Sequence, residues 1–137
     1  MRSWRYDDLE IGFTESFERT VDETMMCGFL QISGDNNPLH CDEKFALQKG
    51  FAGRVVYGML VASLYSCLAG VYLPGKNCLL QSVHSDFLRP VFIGDSLTVT
   101  GKIVQKNDSV RQIVIKASIR NQKGEKVSKA NIELGVL

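Results

Sequence analysis

The sequence predicts an α+β fold in which one antiparallel sheet curves around a long apolar helix, and three observations carry that expectation. An uncharged run of 21 residues, Val55 to Gly75, occupies the middle of the chain. Before Pro74-Gly75 the apolar residues recur with a period of about 3.6, and after it with a period of about 2. The length of 137 residues suits one domain and is short for two, so residues 1–137 are expected to share one core.

Each element has its own local reason. Asp7-Asp8-Leu9-Glu10-Ile11-Gly12 reads as a turn, and Phe13 to Val21 as an exposed strand with Phe13, Phe17 and Val21 set among Thr, Glu and Arg. Asp22 is placed to cap a helix whose apolar side is Met25, Met26, Phe29, Leu30 and Ile32, and Gly34 to end it. Asp35 to Cys41 is expected to be a loop, because Asn36-Asn37-Pro38 fits neither a helix interior nor a central strand. Asp42 then caps a short helix with Phe45, Ala46 and Leu47 on its apolar side, ended by Gly50.

The uncharged run begins as extended chain at Val55-Val56 and becomes helical over about Gly58 to Tyr72. About 20 apolar residues are enough to span a bilayer. Gly58, Ser63, Ser66, Gly70 and Pro74 interrupt the run, however, so it reads as a helix at a protein's centre, with Met59, Leu60, Leu64, Leu68 and Val71 as core. Strands follow at about 78–88, 96–106, 110–121 and 126–136. Their connections, at Arg89 to Asp95, Asn107-Asp108 and Gln122-Lys123-Gly124, predict antiparallel neighbours in chain order. A helix apolar on all sides needs cover, and consecutive strands supply it.

Composition narrows the function. With 16 basic and 15 acidic residues, the net charge of +1 gives no general attraction for nucleic acid or an anionic membrane. Cys27, Cys41, Cys67 and Cys78 form no C-x-x-C pair and His40 and His84 are the only histidines, so no metal site is expected. The opening MRSWRYDDLE lacks the apolar stretch of a secretory signal, and four free thiols suit a reducing cytoplasm.

Reactive side chains are densest in Ser33-Gly34-Asp35-Asn36-Asn37-Pro38-Leu39-His40. A carboxylate five residues before an imidazole, with Asn-Pro fixing the bend, can hold a shared water. The same residues also suit an Asx-turn at Asp35 and a solvated His40, and spacing leaves both readings open.

The continuation adds a resemblance. SGDNNPLHCDEKFA at 33–46, Arg54-Val55-Val56-Tyr57-Gly58-Met59-Leu60-Val61-Ala62-Ser63-Leu64-Tyr65-Ser66, Leu73-Pro74-Gly75-Lys76, and Phe87-Leu88-Arg89-Pro90-Val91-Phe92-Ile93-Gly94-Asp95 together resemble the MaoC-like dehydratases. That hot-dog-fold family includes the (R)-specific enoyl-CoA hydratases. The resemblance implies a single hot-dog domain, a homodimer whose sheets join, and reversible hydration of trans-2-enoyl thioesters to (R)-3-hydroxyacyl thioesters carried by coenzyme A or acyl carrier protein. It implies no cofactor.

It also implies that Asp35 and His40 are the catalytic pair and that the Gly58 N–H serves the thioester oxygen. Asn37 is expected to fix the geometry of the loop, and Ser66 either to lie near the pair or to be a small helix residue bonded to the carbonyl one turn earlier. Many members carry histidine immediately before the Gly-Met of the helix; Tyr57 stands there in this chain and is expected either to reshape the pocket wall or to be plain core. Phe87 and Phe92 read as packing, and His84 as structural or interfacial. Two alternatives remain on the sequence: a hot-dog acyl-thioester hydrolase, and a non-catalytic acyl-thioester-binding protein, the latter motivated by Tyr57.

Overall fold

A computed structural model describes residues 1–137. In chain order the elements are β1 (Thr14–Thr20), α1 (Glu23–Ser33), α2 (Pro38–Cys41), α3 (Glu43–Gln48), α4 (Gly58–Cys67), β2 (Cys78–Phe87), β3 (Ser96–Asn107), β4 (Gln112–Arg120) and β5 (Lys126–Val136). A looser helical turn, Leu68–Tyr72, extends α4. The five strands form one antiparallel sheet in the order β1-β3-β4-β5-β2.

The sheet departs from the expected order at one strand. β2 lies beyond β5 and not beside β3. The connection after it does not turn back: Leu88 N–H donates to Val127 O, Val56 N–H donates to Val91 O, and Gly94 N–H donates to Val21 O. Residues 88–95 therefore cross the approach to α4 from one side of the sheet to the other, leaving β3 free to pair with β1. Pro90, which has no N–H, suits this path and not a ladder.

Alternation along the strands sets which face is buried. Leu97, Val99 and Ile103 of β3, Ile113, Ile115 and Ile119 of β4, and Ile132 and Leu134 of β5 meet Leu60, Val61, Leu64, Tyr65 and Leu68 in one apolar core. Within it Gly101, Ala117 and Ala130 stand opposite one another in register, a row of small residues where the helix and sheet approach closely. A Cβ on Gly101 would lie 2.6 Å from Leu68 Cδ2 and 3.0 Å from Ile115 Cγ2. Neither neighbour has room to give, since both are fully buried. Gly101→Ala should therefore cost about 1–3 kcal/mol by overpacking, read as a lower midpoint of thermal unfolding.

The capping residues act as expected. Asp22 accepts from Met25 N–H, Asp42 accepts from Phe45 N–H, and Gly34 ends α1 at φ 70°. Three apolar assignments do not hold. Ile32 is 86% exposed, Met59 is 64% exposed, and Leu47 also faces outward. Helices α1 and α3 pack on one side only, and Met59 shares with Ser63 and Ser66 the stripe of α4 turned away from the sheet. The expected loop 35–41 contains a helical turn, because Pro38 sits at its first position, where a missing N–H costs nothing. No helix is long and apolar enough to cross a membrane.

Candidate active site

The loop joining α1 to α2 is held by short-range bonds that its sequence supplies. Ser33 Oγ donates to Phe29 O and accepts from Asp35 N–H. Asp35 Oδ1 accepts from Asn37 N–H at 3.1 Å, and Asn37 Oδ1 accepts from Leu39 N–H at 2.9 Å as the cap of α2. Asn37 is thus a geometric residue, and Asp35 keeps its second carboxylate oxygen for an outside partner. Asp35 is exposed.

His40 is half-buried on α2, its Nδ1 2.7 Å from the carbonyl oxygen of Val55. A carbonyl can only accept, so Nδ1 carries the hydrogen, and Nε2 is the ring nitrogen left free for another partner. Beneath the ring lies Tyr57, centroids 4.2 Å apart.

A cavity of about 310 Å³ opens here, lined by His40, Val55, Val56, Gly58, Val61, Phe87, Leu88, Arg89, Pro90, Val91 and Val127. Its wall is mostly apolar. Gly58 is the first residue of α4, its N–H has no backbone acceptor, and the helix dipole favours negative charge at that end. The cavity therefore brings an imidazole and an unpaired backbone donor to one apolar space, which suits a reaction that moves a proton and develops an oxyanion.

The remaining expected residues lie elsewhere. Tyr57 is 2% exposed and sits behind the loop, not in the pocket wall. Burial first, then the Cys41 thiol and the Asp35 charge nearby, push its phenol up to about 12. Ser66 lies two turns farther along α4 in a separate groove with Lys76, Cys78 and Leu80. His84 stands on the outer face of the sheet with Asp86, Lys116 and Lys129, away from this cavity.

Phe87 is the residue the sequence reading missed. It is 49% exposed, and its ring lies 3.5 Å from where a Gly58 Cβ would be, so it forms the wall facing the helix start. The only signal was its place at the end of a strand, before Arg89-Pro90.

A curved antiparallel sheet around an apolar helix, with a cavity at the helix N-terminus lined by a histidine, defines a hot-dog protein. The chain belongs to the MaoC-like domain family, whose description matches residues 10–126. It is 34% identical over 105 residues to the 3-hydroxybutyryl-CoA dehydratase of Methylorubrum extorquens, covering 77% of this chain and 67% of that one. Against the (R)-specific enoyl-CoA hydratase of Aeromonas caviae the identity is 39% over 90 residues, 66% of this chain and 67% of the relative. The solved (R)-hydratase from A. caviae, described as involved in PHA biosynthesis, superposes with a TM-score of 0.90 at 29% identity, covering 94% of this chain and 98% of that one.

Proposed function

We propose that this chain, as one hot-dog domain, is a hydro-lyase that reversibly adds water to trans-2-enoyl thioesters to give (R)-3-hydroxyacyl thioesters. One observation carries the reading: His40 and the unpaired N–H of Gly58 face a single apolar cavity, with Asp35 on the loop that presents the histidine. Water held between Asp35 and His40 loses a proton to Nε2 as its oxygen bonds to C3. The C2=C3 electrons move onto the thioester oxygen, where the Gly58 N–H stabilises the enolate. The proton held on Nε2 then passes to C2, which restores the carbonyl and returns His40 to its starting form, so atoms and charge balance. Asp35, fixed through Oδ1 by Asn37, orients the water with its other oxygen.

The names of the relatives support a coenzyme A thioester as the first substrate to try, with acyl carrier protein as the second carrier. Loss of enoyl ultraviolet absorbance on mixing with crotonyl-CoA, with chiral analysis of the product, is the test. An (R)-3-hydroxyacyl product is expected. Release of free thiol from a saturated acyl-CoA without hydration would replace the hydratase by a hydrolase. A reducing cytoplasm is the compartment that suits the four unpaired cysteines.

The homodimer is part of the same proposal. β2 is a free edge, and Leu79, Leu80, Phe87 and Leu88 are exposed along it, with Met59 exposed on α4. An open edge with this much apolar surface is normally covered, and a second copy offers an identical edge. Leu80→Lys should convert a particle of twice the chain mass to one of single mass by light scattering, and lower hydration with it because Phe87 and the cavity adjoin that edge. An unchanged mass would remove β2 from the interface.

A further inference from the structure

We infer that Tyr57 is a positioning residue that holds Asp35 and His40 in register, its hydroxyl fastening the Asp35 backbone while its ring backs the imidazole. The inference rests on the proposed roles of Asp35 and His40. Tyr57 Oη donates to the carbonyl oxygen of Asp35 at 2.9 Å. Its ring centroid lies 4.2 Å from that of His40 and 4.8 Å from that of Phe29. Cys41 Sγ is 3.5 Å from the same hydroxyl. One buried side chain thus touches the loop at residues 35, 40 and 41.

Val55 also ties the loop down, through its bonds to Leu39 O and His40 Nδ1, but among the side-chain hydrogen bonds and ring contacts Tyr57 alone reaches both Asp35 and His40. The remaining bonds of the Asp35 segment run to Ser33 and Asn37, its neighbours in the chain, and move with it. Tyr57 is instead anchored in the core at the N-cap of α4. The next residue is Gly58, so one rigid stretch of backbone sets the oxyanion donor and, through the tyrosine, the proton-transfer pair. The phenol remains a donor throughout the neutral range, because burial holds it protonated to about 12. A histidine there can supply a ring for the stack, but it is shorter, and the reach to Asp35 is what the phenol adds.

Tyr57→Phe separates the two contributions, since it keeps the ring and removes the hydroxyl. With crotonyl-CoA, kcat should fall by about 10-fold to 100-fold while KM stays within about twofold, the pattern of a misplaced reacting group and not of lost binding. Amide hydrogen exchange should quicken at Asn37 and Leu39 and stay unchanged in β3, β4 and β5. A wild-type kcat would overturn the inference, as would a loss that appears only in KM, or exchange that quickens across the whole sheet. Asp35→Asn, measured in parallel, keeps the two readings apart. If it is inactive while Tyr57→Phe is wild type, only the role of Tyr57 fails; if it is active, the catalytic pair itself fails.

Discussion

Asp35→Asn and His40→Ala are each expected to lower kcat by at least about 100-fold, about 2.7 kcal/mol of transition-state stabilisation, without unfolding the protein. The asparagine is nearly isosteric, and its oxygen can still accept the Asn37 N–H that Oδ1 accepts at 3.1 Å. What disappears is the charge and the second acceptor, the two properties that the proposed mechanism uses to orient a water. His40→Ala removes the proposed base and leaves the Val55 carbonyl without its 2.7 Å partner, so some local loosening accompanies it. His40→Gln, which can donate to that carbonyl but cannot take a proton, isolates the chemical loss. Hydration of crotonyl-CoA and the thermal midpoint should be read on the same samples. Activity within about tenfold of wild type in Asp35→Asn, with the protein folded, would remove the carboxylate from the mechanism.

Much of the frame was legible because its causes are local. Asp22, Asp42 and Gly34 act within one turn of themselves, and the alternation of Leu97, Val99, Ile103 or Ile113, Ile115, Ile119 declares a buried face from either strand alone. The position of β2 has no such cause. It depends on which edge wins the chain after Phe87, and that is decided by bonds from Leu88, Val56 and Gly94 to distant residues. Met59 was misread for a related reason. An apolar residue in an apolar helix looks like core unless one knows that α4 covers only one side of the sheet and leaves a stripe bare.

The site divides along the same line. Asp35, Asn37 and His40 lie within six positions of one short polar loop between two capped helices, so their shared location was legible, while the contacts that fix the loop come from Val55 and Tyr57 outside it. Gly58 could be placed because a helix start always has unpaired N–H groups. Tyr57 and Phe87 could not. Whether Tyr57 faces the cavity or the back of the loop depends on the rotation of α4 against α1 and α2, and whether Phe87 is core or wall depends on β2 being an edge.

Gly58→Pro should lower kcat by about 10²-fold to 10³-fold, because it replaces the hydrogen of the proposed oxyanion donor with the ring Cδ. Substituting proline is ordinarily a blunt test, yet three features make it a clean one here. Gly58 is the first residue of α4, where proline is well tolerated because the N–H bonds nothing in the helix. Tyr57, with φ −52° and ψ 128°, already has the extended geometry that the residue before a proline requires. A Cβ at Gly58 meets the Phe87 ring at 3.5 Å, an ordinary contact. Gly58→Ala is the control, since it places the same Cβ in the cavity and keeps the N–H. It should raise KM by crowding the thioester and cost kcat far less. If the two variants fold equally and their kcat values agree within about threefold, the backbone of Gly58 stabilises no charge, and the oxyanion must be sought at another donor.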